Sequence, residues 1–96
     1  MILKGDVLEW NVTYKDGLGL GKSHFETYAE CLDFGLKLGK TCWINLNASK
    51  RDENGNTSLS CSIAKIKNDT IEMIHGHYLA QIEKLGNLVT NRRISK

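Results

Sequence analysis

The chain has 96 residues, a formal net charge of +2, 41% hydrophobic residues and 25% charged residues. This length predicts one domain spanning residues 1–96, and the composition is that of an ordinary globular protein rather than a disordered one. So small a net charge does not by itself indicate a nucleic-acid partner. No apolar run is long enough for a membrane span, and the first residues lack the apolar stretch of a signal peptide. We therefore expect a cytoplasmic protein.

The first predicted element is a strand from Val7 to Tyr14, because apolar and polar residues alternate along it. One face would carry the apolar residues, and the other the polar residues between them. Asp16-Gly17 follows as a turn, since this pair readily takes the positive φ angles of a tight turn. The apolar face consists of Leu8, Trp10, Val12 and Tyr14.

A glycine-rich segment from Asp16 to Ser23 looks like a phosphate-binding loop, but its details disagree with that motif. Asp16 stands where the motif needs glycine, and its carboxylate would repel a phosphate. The next helix is expected only near Tyr28, so no helix N-terminus meets the loop. We therefore predict no nucleotide and no other cofactor. The segment from Leu18 to Phe25 could instead be a hairpin partner of the first strand, although its glycines weaken a strand.

Two helices are predicted from capping boxes, in which a side chain at the helix start and a glutamate three residues on satisfy each other's amides. Thr27 and Glu30 predict a helix over residues 28–38 that stops at Gly39. Asp69 and Glu72 predict a second helix over residues 70–85, since apolar residues then recur at steps of three and four.

Between the helices, alternation predicts strands over residues 42–48 and 58–66, joined by a charged loop at residues 50–56. Residues 88–94 would form a short final strand, and residues 92–96 a basic tail. The element order predicts an α+β fold, specifically a ferredoxin-like βαββαβ sandwich with two helices on one face of an antiparallel sheet. The alternative is ββαββα with an N-terminal hairpin.

Residue types that carry catalysis or bind metals are present but not in suitable patterns. His75 and His77 are two apart, so they point in different directions on a helix. The three cysteines form no CxxC pair, and each falls on a predicted apolar face. We predict no catalytic residues, no metal site and no enzymatic activity.

The sheet face opposite the helices is the most informative predicted surface. It would hold one large aromatic, Trp43, among small polar residues, which is typical of a protein-contact anchor. The alternative is that Trp43 is covered by a loop or by the C-terminal segment. The predicted partner-binding residues are Trp43, Asn45, Asn47, Ser60 and Ser62.

These features predict a small non-catalytic accessory or regulatory protein that binds another macromolecule and could act as its inhibitor. A protein partner is favoured, as for the small regulators that phages and mobile elements encode, and a homodimer could form through a sheet edge. The alternative is a nucleic-acid-binding module. That module would use the basic residues Lys50, Arg51, Arg92, Arg93 and Lys96.

Overall fold

A computed structural model describes residues 6–50, 57–85 and 90–91. Eight elements lie within these ranges, in the order ββαβββαβ. The strands are β1 (Val7–Asp16), β2 (Gly19–Phe25), β3 (Cys42–Ser49), β4 (Thr57–Lys67), β5 (Thr70–Met73) and β6 (Thr90–Asn91). The helices are α1 (Tyr28–Leu38) and α2 (His77–Leu85).

The predicted α+β class is confirmed, and the sheet is antiparallel along its main path β2-β1-β3-β4-β5. The ferredoxin-like arrangement is not confirmed by this strand order. In an all-antiparallel βαββαβ sheet no hairpin strand lies between the first strand and α1, but here β2 pairs with β1 from Trp10 to Asp16. Gly17, with φ of 63°, allows the tight turn that folds β2 back. The N-terminal hairpin of the alternative prediction is therefore present. The described part of the expected final strand, β6, pairs in parallel with Val7 and Leu8.

One face of the sheet, here called the inner face, carries the core beneath both helices. Alternation along β3 places Cys42, Ile44, Leu46 and Ala48 on this face, all fully buried. Helix α1 starts with the predicted capping box, in which the Glu30 amide donates to Thr27 Oγ1 at 3.1 Å. It ends at Gly39, whose φ is 74°.

Helix α1 lies close to the sheet because its residue at the contact is a glycine. A Cβ at Gly35 would come within 2.6 Å of Ile66 Cδ1 and 3.0 Å of Cys42 Sγ. Both neighbours are buried in the core, so neither can easily move away. The small residue therefore sets the helix–sheet distance on this side. On the other side, Phe34 packs against Phe25 and Tyr14, with ring centroids 5.1 and 5.9 Å apart.

The second predicted capping box is wrong, because its residues form a turn and a strand. Asn68 and Asp69 both have positive φ, at 50° and 62°. Such a pair is the signature of the two-residue turn that matches the twist of a hairpin. Residues Thr70–Met73 then pair with β4 as β5, and α2 begins only at His77. Asparagine and aspartate tolerate this backbone conformation better than most residues, so the turn prevails over the cap.

Ile63 of β4 is a bulge residue that also contacts the segment leading into α2. Ile44 pairs with Ala64 and Asn45 with Ser62, so Ile63 is an extra residue in its strand. The Ile63 carbonyl accepts from the amides of Ile74 and His75 at 2.8 and 3.1 Å. These bonds hold the segment that leads into α2. Four residues of α2 then pack against the core: Tyr78, Leu79, Ile82 and Leu85.

The turn at Asn68 and Asp69 makes a prediction that separates it from a helix cap. Asp69→Gly should raise the free energy of unfolding by up to about 1 kcal/mol, because glycine removes the cost of a positive φ. A capping aspartate replaced by glycine would instead lose a few tenths of a kcal/mol. Urea denaturation of the variant and the wild type measures the difference. A lower midpoint for Asp69→Gly would contradict the turn.

Candidate functional site

The second face of the sheet, here called the outer face, lies opposite both described helices. It brings together all five residues predicted to bind a partner. Asn45 pairs with Ser62 and Asn47 pairs with Ser60 across β3 and β4, and Trp43 is half-buried on the same side. Their shared placement agrees with the alternation in the sequence. Their role in binding remains a prediction.

Asn45 is the centre of a polar network that crosses three strands. Its Nδ2 donates to Asn11 Oδ1 at 2.9 Å and to Thr13 Oγ1 at 3.0 Å. Its Oδ1 accepts from Ser62 Oγ at 2.7 Å. Asn11 is only 3% exposed, so the network supplies a bond that water cannot readily replace. The amide at the middle of the outer face is therefore fixed in orientation.

The network predicts a stability cost for its removal. Asn45→Ala should lower the free energy of unfolding by about 1–3 kcal/mol, because it leaves the Asn11 side chain without its bond from Asn45. Thermal or urea denaturation checks this. Asn47→Ala is the matched control at the next outward position of the same strand, because the network of Asn11, Thr13, Asn45 and Ser62 does not include Asn47. Equal losses for both variants would contradict the network's contribution.

Trp43 lies beside charged residues that the sequence prediction did not include. The Lys65 ammonium is 5.6 Å from the centroid of the Trp43 ring, which is within the range of a cation–π contact. Five residues are successive cross-strand neighbours on this face and form one row across the sheet: Lys22, Thr13, Trp43, Lys65 and Glu72. The aromatic side chain therefore has a lysine on each side along this row.

The sequence prediction missed the lysines of the outer face for two reasons. Lys22 falls in the glycine-rich segment that the main fold prediction did not include as a strand, whereas it lies on β2 opposite Thr13. Lys65 follows the bulge, which reverses the alternation set by Ser60 and Ser62. The adjacent apolar pair Ile63-Ala64 was the available signal, because two neighbouring buried residues interrupt a regular strand.

The basic residues predicted for nucleic-acid binding are only partly described. Lys50 is exposed directly after β3. Arg51, Arg92, Arg93 and Lys96 lie outside the described residues, as does most of the expected basic tail. The glycine-rich segment forms the β1–β2 hairpin, so no helix N-terminus follows it.

The thiols and histidines of the described residues show no arranged reactive group. Burial, followed by the nearby Glu30 charge, raises the pKa of Cys31 to about 12. Burial also raises the pKa of Cys42 and Cys61, so all three are protonated at neutral pH and weak nucleophiles. His75 Nδ1 lies 2.9 Å from the Ser62 carbonyl oxygen, which gives this ring a structural contact.

Across residues 6–50, 57–85 and 90–91, no group of three histidine, cysteine or acidic side chains could hold a metal ion. Within the same ranges, no helix is both long and apolar enough to cross a membrane.

A shallow cavity of about 230 Å³ lies on the outer face, lined by the Asn45 network with Lys22, Asn47 and Ser60. Small-molecule sites usually have roughly 300–1,000 Å³.

The two tryptophans should differ in their response to ionic quenchers. Trp10 is 4% exposed in the core, whereas Trp43 is half-buried beside Lys65. Iodide should quench Trp43 fluorescence more strongly than caesium, because the local positive charge attracts the anion. The Trp43→Phe variant, which keeps Trp10, should lose most of the quenching. Equal quenching by both ions would contradict a positive surrounding of Trp43.

Comparison with known proteins places no further constraint on the site. No protein-family model matches the chain, and searches of curated proteins and of solved structures give no significant match.

Proposed function

We propose that this protein is a small non-catalytic accessory or regulatory protein that binds another protein through the outer face, as phage and mobile-element regulators do. The observation that carries this proposal is the position of Trp43, half-buried on a polar sheet face opposite the described helices. Tryptophan is enriched among the few residues that dominate binding energies. A cytoplasmic location is part of the same proposal.

The polar residues around Trp43 support a contact with a large surface. Asn11, Asn45 and Ser62 are already hydrogen-bonded to one another, so a partner that covers them leaves few polar groups unsatisfied. Desolvating such a network costs less than desolvating free amides. The shallow cavity beside it suits a flat protein surface better than an enclosed small molecule.

The proposal predicts a large effect of one side chain. Trp43→Ala should weaken binding to the partner by about 2 kcal/mol or more, as truncation of an interface anchor does. Comparative pull-downs from the source cells with wild-type and variant bait identify the partner, and calorimetry with that purified protein measures the affinity. Trp43→Thr, which suits a strand, separates loss of contact from loss of folding.

The matched control is Leu36→Ala on α1, since Leu36 is 37% exposed on the helical side of the molecule. This variant should retain the partner. Unchanged affinity of Trp43→Ala, or an equal loss in Leu36→Ala, would show that the outer face is not the binding surface.

A further inference from the structure

The outer face carries unequal numbers of positive and negative side chains. Alternation and pairing place Lys15 and Lys22 at the β1–β2 side of this face, and Lys65 and Lys67 at the β4–β5 side. Lys65, Lys67 and Glu72 line one cavity there. Against these four lysines, the described strands place two carboxylates on this face, Glu9 and Glu72.

The lysines of the outer face take no part in the close ion pairs of the described residues. The two ion pairs in this part of the chain use other lysines: Lys37 pairs with Asp33 at 3.1 Å, and Lys40 with Asp16 at 4.0 Å. Lys65 and Glu72 are directly paired across β4 and β5, yet they form neither of these ion pairs. The positive charges around Trp43 are therefore available to a ligand.

The opposite side of the molecule has a different charge. Glu26, Glu30 and Asp33 are exposed in and before the first turns of α1. Among the described residues, the strands thus place four lysines and two carboxylates on the outer face, whereas three acidic residues and Lys37, which pairs with Asp33, lie along α1 and just before it. Electrostatic complementarity steers a partner toward one face of such a molecule.

We propose that the protein partner presents an acidic surface to the outer face, with carboxylates that meet Lys15, Lys22, Lys65 and Lys67 around Trp43. This inference rests on the proposed function. A neutral, hydrogen-bonded centre with an aromatic anchor and a charged periphery has the layout of a protein interface. Peripheral lysines that face acidic groups then raise the association rate and select the partner.

The same charges attract nucleic acid, but the details of the face favour a protein. Base stacking needs free aromatic surfaces, and Lys65 lies over the ring of Trp43. Trp43 is also the one large aromatic that the described strands place on this face.

The test measures binding of poly-L-glutamate and of oligo-dT to the full chain by tryptophan fluorescence at low salt. Poly-L-glutamate should bind, and the double variant Lys22→Glu/Lys65→Glu should weaken it at least about tenfold, because two attractive charges become repulsive. Lys37→Glu/Lys84→Glu changes the net charge equally on the helical side and should stay within about twofold of the wild type. Circular dichroism checks that each variant folds.

Three results would overturn the inference: no binding of poly-L-glutamate, equal losses in the two double variants, or tighter binding of oligo-dT than of poly-L-glutamate. The partner found by pull-down separates this inference from the proposed function. A partner that is lost by Trp43→Ala but kept by Lys22→Glu/Lys65→Glu overturns the acidic surface alone. A partner that is kept by Trp43→Ala overturns the proposed function.

Discussion

Because β3 is hydrogen-bonded to β1 on one edge and to β4 on the other, its side chains have only two directions to take. Every second residue from Cys42 to Ala48 is fully buried beneath the helices. The residues between them, from Trp43 to Ser49, face the other way. The core and the candidate site therefore both depend on β3. A shift of its register by one residue would expose the apolar residues of the inner face and bury the polar residues of the outer face.

Local patterns predicted an element well where no other local pattern competed with them. Thr27 and Glu30 form the capping box that the sequence indicates, and α1 has the predicted bounds. Asp69 and Glu72 have the same spacing, but Asn68 precedes them. Two adjacent residues that tolerate positive φ favour a hairpin turn, and the pairing of β5 with β4 then stabilises it. A single sequence does not reveal which of two such local preferences the tertiary contacts will support.

The candidate site was predictable in its centre and not at its periphery. Trp43, Asn45 and Asn47 follow from alternation within one uninterrupted strand. Lys65 depends on a bulge, and Lys22 on a strand weakened by glycines, so neither could be placed by alternation alone. As a result, the sequence indicated a neutral surface, and only the assembled sheet shows the lysines that flank its aromatic residue.

Ile63 also holds the segment that leads into α2. Its carbonyl accepts the amides of Ile74 and His75, at the position that continues the β4–β5 pairing beyond Ala64 and Met73. The link into α2 is thus fastened to an inner strand of the sheet, although its residues are exposed. Local opening of this link requires the breaking of bonds to a fully buried residue of the sheet. The link is therefore expected to open together with the β4–β5 pairing that its hydrogen bonds continue.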